Sequence, residues 1–125
     1  SMDSKLAHSR SNDEDFTEIE RKAFIDEASG LFNSRTILAK LAVEMRRTAR
    51  YKHKFCLMAV ELDRGAQLLE LTEMAQELAF VSFCKMVDRS IREVDYIGRF
   101  DDRCLLIICP ETSTNEALME AERLR

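Results

Sequence analysis

With 125 residues, 46% of them hydrophobic, the chain carries apolar material for one globular core and too little for two. Its 23 acidic side chains outnumber 19 basic ones, giving a net charge of -4 that repels polyanions and excludes nucleic-acid recruitment by charge alone. No run approaches the roughly 20 apolar residues that a membrane helix needs, and no basic-then-apolar leader opens the chain, so a cytoplasmic domain is expected.

Ser1-Met2 reads as a cloning remnant that takes no part in the fold. The polar stretch through Asp15 carries few of the large apolar residues that would offset ordering entropy, which predicts a flexible arm or part of an upstream linker. Phe16, Ile19, Ala23 and Phe24 recur at helical spacing, a connector helix interrupted by Ser29-Gly30. Residues 1–25 are therefore assigned as arm and connector, and 26–125 as the folded domain. Asn33 or Ser34 can cap a helix over Arg35 to Tyr51, with Ile37, Leu38, Leu41, Ala42 and Met45 as its apolar face.

The run from Phe55 to Leu62 suits a covered strand. Between Gln67 and Ile91 there is no glycine or proline, and Phe80, Phe83, Cys84, Val87 and Ile91 mark one face of a single long helix. VDYIGRF and CLLIIC, separated by Asp101-Asp102-Arg103, read as a hairpin ending at Pro110. A final helix, capped within Thr112 to Thr114, turns Ala117, Leu118, Ala121 and Leu124 inward and runs to the last residue. This order defines an α+β, ferredoxin-like layer that lacks its last strand. Cys56, Cys84, Cys104 and Cys109 show no C-x-x-C spacing and read as reduced core residues. Met45, Met58, Met74 and Met86 read as core filler, His53 as a solvated or capping residue, and the Arg46 to Lys54 basic run as a solvated face.

Four segments in order carry a family resemblance. Asp26 to Arg35 resembles the D-x-L-T-G-L-x-N-R-R turn of GGDEF domains, and Glu44, Arg47, Arg50 and Tyr51 resemble their E-x-x-R-x-x-R-Y helix end. Arg92 to Phe100 resembles the R-x-x-D-x-x-x-R-Y run before the signature, and Leu106 to Pro110 the strand and proline after it. The resemblance implies a nucleotide-cyclase-like fold, a role in bacterial cyclic di-GMP signalling, and a strand, helix and closing strand beyond Arg125.

The signature positions themselves read Asp101, Asp102, Arg103, Cys104 and Leu105. In the family, glycines there let backbone approach the nucleotide, and acids hold magnesium and help activate the attacking hydroxyl. Arg103 puts a cation where a metal needs a carboxylate, which leaves Glu61 as the residual metal candidate and makes a magnesium cofactor unexpected. Leu69 falls near the position of a guanine-reading Asn. Against this background a catalytically inactive, degenerate GGDEF domain is expected, with Glu61 and Arg103 free to form an ion pair.

Arg92 and Asp95 resemble the R-x-x-D site that binds cyclic di-GMP in the family, through guanidinium contacts to guanine or phosphate and carboxylate contacts to guanine N–H groups. They are the candidate ligand-binding residues; the alternative is that they pair with each other. If Phe55 to Leu62 were central in the sheet, the lost strand would expose its apolar edge and favour self-association. Partner expectations are thus a second copy, cyclic di-GMP, and an upstream sensor domain or partner protein. The rival functions are a purely structural interaction module and a residual cyclase or GTP-binding enzyme using Glu61.

Overall fold

The computed structural model describes residues 18–63 and 65–124. Its elements are α1 (Glu18–Phe24), α2 (Ser34–Tyr51), β1 (Phe55–Glu61), α3 (Ala66–Leu69), α4 (Glu73–Ser90), β2 (Tyr96–Arg99), β3 (Cys104–Pro110) and α5 (Thr114–Glu122). The strands form one antiparallel sheet in the order β1-β3-β2. This is the expected α+β class. The expected arm lies outside the described residues.

β3 occupies the centre, with neighbours on both sides and buried residues from Cys104 through Cys109. A strand covered on both faces must be apolar throughout, and CLLIIC satisfies that demand. β1 is an outer strand, so among the described residues one of its edges has no strand beside it, as the lost-strand reading expects; the covered strand expected of Phe55 to Leu62 is not found, because its alternate residues Leu57, Ala59 and Glu61 are exposed.

α2 begins where the Asn33 side chain accepts from the Thr36 N–H at 2.9 Å, and it ends at Lys52 in the left-handed region. Its inward face runs through Ile37, Leu41 and Glu44, whereas Leu38 and Met45 are exposed. The face is thus turned about a residue from the expected one, because Glu44 packs inward while Arg47 donates to its Oε1 at 2.6 Å.

The single helix expected between Gln67 and Ile91 is two. Thr72 adopts an extended conformation, its side chain accepts from the Ala75 N–H at 3.1 Å, and a new helix starts there. Phe80, Cys84 and Val87 then face the core as the periodicity predicts.

On α5, Ser113 and Glu116 form a reciprocal capping box, and the helix stops at Glu122. Ala117 is buried and Leu124 packs on the core as the sequence implies, whereas Glu120 is buried and Leu118 stays 63% exposed. Met45, Met74 and Met86 are likewise exposed, and of the four methionines read as filler Met58 alone packs on the core. His53 is not merely solvated: its Nδ1 lies 2.7 Å from Glu111 Oε1.

The turn before α2 is stitched onto the sheet. Ile25 bridges Phe32, Phe32 bridges Gly98, and the Arg99 N–H donates to the Phe32 carbonyl at 2.9 Å. Gly30 closes that turn at φ 76°, a conformation that disfavours any side chain.

Candidate functional site

Asp101 to Leu105, read from sequence as the signature positions, form the tip of the β2–β3 hairpin and the start of β3. Asp101 Oδ1 accepts from the N–H groups of Arg103 and Cys104, each at 2.8 Å, so this side chain builds the turn. Cys104 and Leu105 are buried, and Asp101, Asp102 and Arg103 are exposed. Burial, with Asp101 and Glu61 nearby, raises the Cys104 thiol above its ordinary value.

Glu61 lies directly opposite Cys104 in the register, beside the hairpin tip as expected. Among the described residues no ion pair joins Glu61 to Arg103, and both are exposed, where water competes with any such pair. A cleft of about 500 Å³ adjoins the tip, lined by Leu69, Glu73, Gln76, Glu77, Asp102 and Arg103. Leu69 presents an apolar side chain there, with no donor or acceptor to read a base.

Behind the tip, buried Arg99 is gripped from two elements. Its guanidinium donates to both carboxylate oxygens of Glu77 on α4, one of them at 2.8 Å, and to Asp26 Oδ2 at 3.3 Å. It also lies over the Phe80 ring, 4.8 Å from the centroid. Hydrogen bonds from Arg99 hold the Glu77 carboxyl below its ordinary value. Burial pushes the Asp26 carboxyl up, but its bonds from Ser29 and the nearby Arg99 outweigh burial and leave it lowered. Sequence singled out neither Glu77 nor this grip, although Glu77 stands one turn before Phe80 on the inward face of α4.

The second site lies at the other end of β2. Asp95 is fully buried and accepts from the Arg92 N–H at 2.9 Å and from Arg92 Nη2 at 2.8 Å. Arg92 Nη2 also donates to Thr112 Oγ1. The two residues are therefore paired with each other, and Asp95 has no open face for a guanine. Arg92 keeps its side chain 38% exposed and, with Thr112, Glu116, Met119, Glu120 and Arg123, lines a pocket of about 320 Å³. Thr112, Glu120 and Arg123 had no signal in the sequence beyond lying near the start and end of a helix.

An antiparallel sheet with helices packed against it, its hairpin tip beside the end of β1, defines the nucleotide-cyclase-like α+β class. The family profile described as "Diguanylate cyclase, GGDEF domain" matches residues 23–125, and the chain belongs to that family. Solved structures agree on the fold. The diguanylate cyclase SiaD of Pseudomonas aeruginosa, solved with its activator SiaC, superposes with a TM-score of 0.77 at 24% identity, over 86% of this chain and 42% of that one. The coiled coil and GGDEF domain of DgcB from Caulobacter crescentus, solved with c-di-GMP, gives 0.76 at 14% identity, over 86% and 57%. The FimX GGDEF domain of Pseudomonas aeruginosa gives 0.69 at 17% identity, over 80% and 62%. The chain thus spans less than two thirds of each of these proteins. No curated protein matches it. No helix among the described residues is long and apolar enough to cross a membrane.

Proposed function

We propose that this chain is a GGDEF-family signalling domain without cyclase activity, a degenerate member that works by contact with other proteins. One observation carries the reading: Glu61 at the end of β1 faces Cys104, not a second carboxylate, across the register. Magnesium on a triphosphate is held by one or two carboxylates as well as the phosphates, so Glu61 alone makes a weak site, and Arg103 adds repulsion beside it. The direct test is incubation with GTP and magnesium followed by chromatography. No cyclic di-GMP is expected, and its formation above a no-protein blank would overturn the reading.

A second reading concerns cyclic di-GMP as ligand. Arg92 and Arg123 line one pocket, an arrangement suited to a phosphodiester, with Asp95 holding Arg92 in place instead of reading the base. Calorimetry of wild type and Arg123→Ala with cyclic di-GMP tests it; absence of heat in the wild type removes it and leaves an interaction module.

Self-association is proposed through the outer edge of β1, where Leu57 and, across a groove, Leu118 are exposed. Light scattering at high concentration should report a dimer; a monomer throughout would refute the contact.

A further inference from the structure

Beneath the Arg92 pair, three elements converge on one point. An oxygen of Asp95 before β2, Sγ of Cys109 on β3 and an oxygen of Glu120 on α5 lie within 4.8 Å of one another, and all three residues are buried. Cys109 Sγ stands 3.3 Å from Glu120 Oε2. Glu120 is 2% exposed, yet its Oε1 has no hydrogen-bond partner; Arg92 Nε is 3.9 Å away and already donates to Asp95.

A buried carboxylate oxygen without a donor is costly, and so is unbalanced buried charge. With both carboxylates ionised, two negative charges against one guanidinium leave the cluster one in excess, and burial and the adjoining Asp95 accordingly raise the Glu120 carboxyl above its ordinary value. A divalent cation bound with Cys109 as thiolate brings the sum to zero and gives Glu120 Oε1 a partner.

We propose that Asp95, Cys109 and Glu120 form a binding site for one thiophilic divalent cation, with zinc the best fit. Tetrahedral zinc with bonds of about 2.0–2.3 Å sets its ligand atoms roughly 3.3–3.8 Å apart, within the span these side chains already occupy. A thiolate selects zinc over magnesium. Glu120 also lines the 320 Å³ pocket, the side from which solvent would supply a fourth ligand. Arg92 stays on Asp95 as the outer partner that fixes the carboxylate's orientation. On binding, the metal replaces the thiol proton, which leaves to solvent.

The test is titration of the purified chain with zinc, and separately with cobalt. One equivalent should bind, cobalt should give a thiolate charge-transfer band in the near ultraviolet, and zinc but not magnesium should raise the unfolding temperature. Cys109→Ser should abolish the band, Glu120→Gln should weaken zinc binding by at least about tenfold, and Cys56→Ser should leave both intact. Absence of zinc binding, as expected if a shared proton alone neutralises the cluster, overturns the proposal. A cobalt band that survives Cys109→Ser does so as well. Should Cys109→Ser fail to fold, zinc binding by Glu120→Gln decides, since undiminished affinity there rules the site out.

Discussion

Arg92 and Asp95 satisfy each other: the carboxylate is fully buried and takes both a main-chain and a guanidinium hydrogen bond from the same residue three positions back. Removing the guanidinium strands a buried anion. Arg92→Ala should therefore destabilise the fold by roughly 3 kcal/mol even without ligand, read from urea unfolding at neutral pH. Arg92→Lys should recover only part, because an ammonium cannot reproduce the forked contact.

Arg99 and the two carboxylates it hydrogen-bonds, Asp26 and Glu77, set an acid limit. Asp26 and Glu77 both sit below their ordinary values in the fold, so their contribution is complete above about pH 4, the unfolded carboxylate range, and disappears as pH falls through the folded values. Glu77 is partly exposed, which limits its share. Glu77→Gln should cost about 1 kcal/mol at pH 7, with the difference from wild type shrinking below about pH 4, as urea midpoints across pH would show.

Gly98 is required by its neighbour. A Cβ there would fall 2.8 Å from both Ile37 Cγ1 and Cγ2, against a helix that cannot retreat without opening the core. Gly98→Ala should destabilise by roughly 2–3 kcal/mol, measured by thermal unfolding.

The four thiols should separate by reactivity. Cys84, Cys104 and Cys109 are buried, and burial raises each of them, Cys84 to about 11. Cys56 is only partly covered. Iodoacetamide at pH 8 should label Cys56 first in the native chain, and all four in denaturant, as peptide mass spectrometry would record.

Much of the architecture was legible because it rests on local rules. Asn33 caps where the sequence allowed, the period of Phe80, Cys84 and Val87 named the buried face of α4, and CLLIIC reads as the second strand of a hairpin, although the sequence points to Phe55 to Leu62 as the covered strand and that strand is β3 instead. The break at Thr72 was not legible, since no glycine or proline marks it and a threonine cap looks like any helical threonine. The candidate site split the same way. The hairpin tip and its nearness to Glu61 followed from strand order, but Glu77 reaching Arg99 and Glu120 reaching Asp95 depend on tertiary placement. An acid inside an apolar face reads as a solvent-facing residue until its neighbours are known.

β3 has hydrogen-bonded partners along both flanks and no exposed residue from Cys104 to Cys109. Its amide hydrogens should exchange with solvent only when the whole domain opens, so hydrogen exchange there should report global stability. The tip residues Asp101 to Arg103 lead directly into that strand, so a change at the tip that strains β3 should register in the same slow exchange.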